Sequence, residues 1–240
     1  MGGMEGTEEG ARERLDPGVR NGLIEHLAGF VSDARRERIE WVLERRTRCV
    51  TVLLEDVYQP HNASAVLRSC DCFGVQDVHI VEQDNAYRVN PNVALGASKW
   101  LSLVRYREAE GNAAACVAAL KERGYDLVAA TPHHEDCLVE DLEIDRPLAV
   151  FFGTEDEGLS ADTLASMDRY VKIPMFGFTE SFNVSVSAAL ILRELVRRLR
   201  TAAVDWPLDE QEKLDLRLQW YRTVVRGSDL IERRYLEERA

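Results

Sequence analysis

The feature that most constrains this chain is an alternation. Six short apolar, β-branched runs recur along it: CVTVLLEDV (49–57), VHIVE (78–82), SLVRY (102–106), YDLVAAT (125–131), PLAVFFG (147–153) and YVKIPM (170–175). Segments of helical character separate most of them: NASAVLRSCDCFG closing at Gly74, an Ala-rich stretch over 109–123 closing on Gly124, a short piece from Ser160 to Met167, and a long one from Asn183 to about Arg200. Strands of this length that alternate with helices form a mostly parallel sheet covered on both faces. The predicted class is therefore α/β, with a six-stranded sheet flanked by helices.

The flanks read differently. Residues 16–48 carry Leu23, Ile24, Leu27, Phe30, Val31, Ile39, Val42 and Leu43 at helical spacing, after a turn expected at Pro17-Gly18. The tail beyond Trp206-Pro207 is again helical and highly charged. Residues 83–99 read as a polar loop. The organisation predicted is a disordered lead-in (1–15), an N-terminal helical extension (16–48), the sheet domain (49–203) and a C-terminal helical extension (204–240).

The acidic, Gly-rich lead-in has no apolar stretch of the signal-peptide kind. No apolar run approaches the roughly 18–20 residues that span a bilayer. A cytoplasmic chain without a membrane partner is expected. Five cysteines (Cys49, Cys70, Cys72, Cys116 and Cys137) form no disulfide framework by number or spacing. His133, His134 and Cys137 cluster, but no second well-spaced pair of ligands accompanies them, so no metal is expected.

The net charge of −12 argues against a nucleic-acid partner when taken as a total. Its distribution argues otherwise. Arg35, Arg36, Arg38, Arg45, Arg46 and Arg48 crowd one segment, Arg193, Arg197, Arg198 and Arg200 another, and Arg222, Arg226, Arg233 and Arg234 a third. Phosphates respond to charge within about a Debye length, roughly 8–10 Å, so local clusters can outweigh the sum. Arg-rich helices are also commonly plain solvated faces.

A dinucleotide site of the usual kind needs a G-x-G-x-x-G turn after the first strand. Here that strand runs into EDVYQPHNASAV, which contains no glycine. The glycines able to bring backbone near a ligand lie late, at Gly153, Gly158 and Gly177. A generic nucleotide-binding domain is thereby disfavoured.

Three segments carry side chains that a core does not need. In HNASAVLR, Asn62 could cap a helix and Arg68 could be a surface charge. In FFGTEDEGLS, Gly153, Glu155 and Gly158 could be a plain strand–turn–helix junction capped by Ser160. In IPMFGFTESFNVSVSAALILRELVRR, Ser181 and Asn183 could be loop and cap. Together, in this order, the three resemble the signature motifs of the SpoU family of 2′-O-ribose methyltransferases, within the knotted SPOUT superfamily, and are most similar to its tRNA-methylating TrmH branch. The match runs through Asn62 and Arg68 at a spacing of six, then Gly153, Glu155, Gly158, Leu159 and Ser160, then IPMFGFTESFNVSVSAA. It departs at Phe182, where the family usually has Leu. The likeness covers roughly residues 35–235.

The resemblance implies a deep C-terminal trefoil knot whose loops hold S-adenosyl-L-methionine, with Thr131, Gly153, Leu159, Ser160, Ile173 and Phe182 at the cofactor. It implies a catalytic group of Arg68, Asn62, Glu155, Ser181 and Asn183, in which Asn62 and Glu155 orient Arg68. It further implies a homodimer through the knot region, with Asn or Arg contributed across the interface, and tRNA gripped by Arg35, Arg36, Arg38, Arg45, Arg46, Arg197 and Arg198. The expected product is a 2′-O-methylated tRNA, with the D-loop guanosine at position 18 the usual target. Ribosomal RNA methylation by the same fold, and a non-catalytic knotted RNA-binding protein, are the alternatives.

Overall fold

The computed structural model describes residues 15–133 and 137–239. Most of the predicted lead-in therefore lies outside the described residues, as does His134. The described residues divide into two compact units, one built from both ends (15–46 and 207–239) and one from the described residues between 47 and 206.

In the terminal unit, α1 (Pro17–Ala28) and α2 (Asp33–Leu43) pack with α8 (Glu210–Val224), and α9 (Ser228–Glu237) packs with α1 and α8. The helical stretch expected over 16–48 is thus broken. Gly29 caps α1, and Ser32 precedes α2. Pro17 is not in a turn but in the first turn of α1, where its missing N–H costs nothing and Asp16 accepts from the Gly18 and Val19 amides. Leu23, Leu27, Leu43, Leu216 and Trp220 are buried in this unit. Ion pairs run between segments far apart in sequence: Arg20 with Asp215, Lys213 with Glu44, and Arg217 with Glu40.

The second unit holds a seven-stranded sheet in the order β3-β2-β1-β6-β4-β7-β5, with every pairing parallel. The strands are β1 (Val50–Glu55), β2 (Asp77–Val81), β3 (Ser102–Tyr106), β4 (Asp126–Ala130), β5 (Cys137–Leu138), β6 (Leu148–Phe152) and β7 (Arg169–Lys172). Seven replaces the expected six because β5, two residues long, pairs at the edge with β7 and is too short to show a period. The central β1 and β6 are buried along their whole length, as a sheet covered on both faces requires.

Alternate residues of each strand feed two cores. Val52, Leu54, Val78, Ile80, Val150 and Phe152 meet α3 (Pro60–Phe73) and α7 (Val184–Leu199) on one face. Leu53, Val81, Leu127, Ala149 and Phe151 join Cys116 and Leu120 of α5 (Asn112–Glu122) and Leu164 of α6 (Ala161–Ala165) on the other. The loop expected over 83–99 contains a short helix, α4 (Pro91–Ala94), and a 3-10 turn at Ala97–Lys99. None of the five cysteines, all among the described residues, forms a disulfide. Among the described residues, no helix is long and apolar enough to cross a membrane.

His79 of β2 sits in the interior, its Nδ1 3.2 Å from the Tyr106 hydroxyl and its Nε2 without a partner. Burial lowers its pKa from 6.5 to about 4, helped by Arg123 and opposed by Asp77. A histidine kept neutral in the fold stabilises fully above the unfolded value near 6.5, and that stability is lost as pH falls toward 4. The loss amounts to about 3 kcal/mol at roughly 1.4 kcal/mol per unit. Urea midpoints taken between pH 7 and 4 should fall less steeply in His79→Gln than in the wild type; parallel slopes would rule out His79 as the cause.

Candidate functional site

The ends of β1, β6 and β7 bring the three motif segments together. Pro60 opens α3 with Gln59 as its N-cap, so Asn62 is not the cap but lies inside the first turn, buried. Freed from capping, its Nδ2 donates to Gln59 Oε1 at 3.0 Å and, in a short contact, to Glu155 Oε1. Its Oδ1 accepts from Asn183 Nδ2 at 3.2 Å. Asn183 also caps α7, accepting from the Ser185 amide at 2.9 Å and the Ser185 hydroxyl at 2.6 Å. One residue from each segment thus joins a single hydrogen-bonded chain. The Glu155 Oε2 is buried and has no partner, so this carboxylate keeps acceptor capacity in reserve.

The turn bearing Glu155 is tightly closed. Thr154 and Gly158 exchange backbone hydrogen bonds at 3.0 and 3.2 Å, and Gly158 has a φ of 73°. A Cβ on Gly153 would lie 2.0 Å from the Gly158 carbonyl carbon and 2.3 Å from the Leu159 nitrogen. Gly153 is therefore glycine because the turn folds back on it.

Ser160 caps α6 and is anchored to a residue that the motifs did not include. Glu55, buried at the end of β1, accepts from the Ser160 amide (3.0 Å), the Ser160 hydroxyl (2.7 Å), the Thr163 hydroxyl (2.7 Å) and Gln83 Nε2 (3.0 Å). Its neighbour Asp56, at a φ of 52°, accepts from the amides of Gln83, Asp84 and Asn85. A left-handed non-glycine residue costs energy and persists only where its surroundings enforce it. The one sequence signal for Glu55 is a charge closing an otherwise apolar strand; Asp56 has none.

Beside this network lies a pocket open to solvent, lined by Ala130 at the end of β4 with Thr131 and Pro132 after it, by Val171, Lys172, Ile173 and Met175 around β7, by Ser181 and Phe182, and by Ser187 and Ile191 of α7. Apolar walls with a few hydroxyls suit a flat heterocycle. Thr131, Ile173, Phe182 and Ser181 come together here. Gly153, Leu159 and Ser160 are not among the residues that line it; Leu159 is buried in the second core. Lys172, Met175, Ser187 and Ile191 were not expected.

Arg68 is set apart. Six helical steps turn it about 120° around α3 from Asn62. It is exposed, and no hydrogen bond or ion pair joins it to Asn62 or Glu155. The expected orientation of Arg68 by these two side chains is not formed within this chain, because they bond to each other and to Asn183.

The other expected arginines divide. Arg35 and Arg38 are exposed, and Arg36 pairs with Asp33. Arg46 is only 1% exposed, its guanidinium over the Trp220 ring. Arg197 pairs with Glu194 on the surface, while Arg198 donates to the Val139 and Leu142 carbonyls at 2.9 and 2.6 Å. Arg46 and Arg198 are thus occupied as structural cations, which their spacing in sequence does not reveal. Among the described residues, no group of three His, Cys, Asp or Glu side chains could hold a metal ion.

Known proteins resemble this chain in sequence and in fold. The chain is 44% identical over 206 residues to a tRNA (guanosine(18)-2'-O)-methyltransferase of Borreliella burgdorferi, covering 86% of this chain and 93% of that one. Its fold is similar to the crystal structure of an Aquifex aeolicus TrmH/SpoU tRNA modifying enzyme, with a TM-score of 0.71 at 28% identity over 80% of this chain and 98% of that one. It is also similar to the SpoU methyltransferase AviRb of Streptomyces viridochromogenes in complex with the cofactor AdoMet, with a TM-score of 0.57 at 28% identity, covering 67% and 64% of the two chains. The sequence profile of the SpoU rRNA Methylase family matches residues 49–193, the stretch that carries the whole sheet and all three motif segments. By that match and the relatives beside it, this chain belongs to the SpoU methylase family.

Proposed function

We propose that this protein transfers a methyl group from S-adenosyl-L-methionine to a ribose 2′-hydroxyl of tRNA, at the D-loop guanosine in position 18. The observation that carries the reading is the Asn62–Glu155–Asn183 chain running beside the pocket lined by Thr131, Ile173, Ser181 and Phe182. The Borreliella relative named for guanosine 18 of tRNA is matched along nearly its full length, which favours tRNA over ribosomal RNA.

The pocket fits the cofactor by character. Ile173, Phe182, Met175 and Ile191 offer apolar walls to the adenine, and Thr131, Ser181 and Ser187 offer hydroxyls. When bound, S-adenosyl-L-methionine supplies an electrophilic methyl on a sulfonium. The protein's own part is alignment and charge. Asn62 and Asn183 fix the loop that ends in Ser181 and Phe182, and the spare Glu155 oxygen holds a donor of the substrate or of a partner. Arg68 clamps the target phosphate and steadies developing charge on the ribose oxygen. It is not the proton acceptor, since a guanidinium stays protonated in proteins.

Because Arg68 does not reach Glu155 in its own chain, its place at the reacting atoms is taken across a homodimer. α7 supports that arrangement. Val184, Ala188 and Leu195 are buried against the sheet, while Val186 and Leu190 form an exposed apolar strip in line with Phe182, and Phe176 and Phe178 project fully into solvent. Threading of residues 150–185 through a trefoil knot belongs to the same proposal.

Incubation with labelled S-adenosyl-L-methionine and an unmodified tRNA transcript should place label on guanosine 18, and none on a transcript with 2′-deoxyguanosine there. Equal labelling of both transcripts would overturn the site of methylation, and no labelling of either would overturn the activity.

A further inference from the structure

An indole on the polar face of α2 is unexplained by packing. The helix turns Ile39 and Leu43 inward, and Trp41 lies on the far side, 49% exposed. Two guanidiniums rest over its ring, those of Arg38 at 4.5 Å and Arg45 at 4.0 Å from the centroid, and Arg45 is tied back to the Trp41 carbonyl at 2.8 Å. Neither arginine has a carboxylate partner among the described residues. The acids that could neutralise them are engaged elsewhere: Glu40 pairs with Arg217 and Glu44 with Lys213, both from α8, and Asp33 pairs with Arg36. Glu37 stands at the edge of the face. A chain with a net charge of −12 thus presents a cationic, aromatic face at Arg38, Trp41 and Arg45, with Glu40 and Glu44 held by α8, Asp33 by Arg36, and Glu37 the one acid beside it.

We infer that Arg38, Trp41 and Arg45 form a contact for a looped segment of RNA, in which the indole ring stacks on an unpaired nucleobase and the two guanidiniums take the flanking phosphates. This rests on the RNA-methylating reading and adds a binding residue to it. Cation–π contact at an exposed ring is weak, so guanidiniums parked on the indole exchange readily for phosphate oxygens, which bind them bidentately. The ring face so released suits any base, because every base has a π-face. Paired RNA offers no such base, so the geometry points to loops and bulges.

The test is equilibrium binding of an unmodified tRNA transcript to the full chain across a salt series, with methyl incorporation measured in parallel. Trp41→Ala should weaken binding about tenfold without changing the salt slope, as loss of one stacked base would. Trp41→Phe should restore most of the affinity. Arg38→Ala with Arg45→Ala should flatten the slope of log K against log salt by about 1.4–1.8, the share of two phosphates. Methyl transfer at limiting tRNA should fall in parallel with binding in Trp41→Ala and in the double arginine variant, and recover with the affinity in Trp41→Phe. Melting curves check folding; should Trp41→Ala prove unstable, Trp41→Phe and the double arginine variant still decide. If wild type methylates tRNA while the variants bind it as tightly, with unchanged slopes, the inference falls alone. If wild type neither binds nor methylates tRNA, the functional reading falls with it.

Discussion

Replacing Arg68 by alanine should reduce methyl transfer by at least about 10²–10³-fold, the usual effect of removing one charged group aimed at developing oxyanion charge. Binding of S-adenosylhomocysteine should remain nearly intact, because Arg68 does not line the cofactor pocket and forms no hydrogen bond or ion pair with another described residue. Stability should hardly change, since the side chain is exposed and makes no ion pair among the described residues. Arg68→Lys should recover little, because a point charge cannot reproduce a two-pronged grip on phosphate. The decisive measurement is single-turnover transfer beside calorimetric binding of the cofactor product. Turnover equal to wild type would remove Arg68 from the centre. Mixing Arg68→Ala with a Glu155→Ala variant adds a second readout. If each site draws on both chains, heterodimers regain one intact site and activity returns; no recovery would argue for a site built within one chain.

Gly153→Ala should be the most damaging conservative substitution in the sheet unit. The added methyl meets Gly158 backbone at 2.0 and 2.1 Å and the Leu159 nitrogen at 2.3 Å, and none of these atoms can swing aside as a side chain could. Overpacking commonly costs about 1–3 kcal/mol, and a backbone obstacle places this case at the upper end. For a chain of this size the melting temperature should drop by roughly 6–12 °C. Opening the turn also carries Glu155 away from Asn62 and Ser160 away from Glu55, so turnover should fall in the protein that remains folded. An unchanged melting temperature would mean that the turn accepts a methyl group after all.

Much of the architecture was open to reading. The runs that became β1, β2, β3, β4, β6 and β7 are apolar or alternating over four or more residues, and the helices between them are bounded by Gly74, Gly124, Ser160 and Asn183, whose capping chemistry is local. β5 escaped because two residues carry no period. The break between α1 and α2 was hidden because apolar spacing continues across Gly29. At the site, the three motif segments could be named but not joined. That Asn62 leaves the cap to Gln59 and bonds Glu155 and Asn183 depends on side chains 93 and 121 residues away.

What the sequence alone determined is therefore whatever repeats or caps over a few residues: a parallel sheet covered on both faces, its helix ends, and the identity of the motif side chains. Tertiary structure decided which charges are free. Arg46 vanished under Trp220 and Arg198 turned to two carbonyls, while Arg38 and Arg45 stayed over Trp41 with Glu40 and Glu44 held by α8. It also decided that Gly153 serves its own turn and that Glu55 anchors Ser160. The reason is physical. Backbone periodicity follows from bond geometry within one or two turns, whereas burial and ion pairing depend on whichever distant segment arrives to cover a side chain.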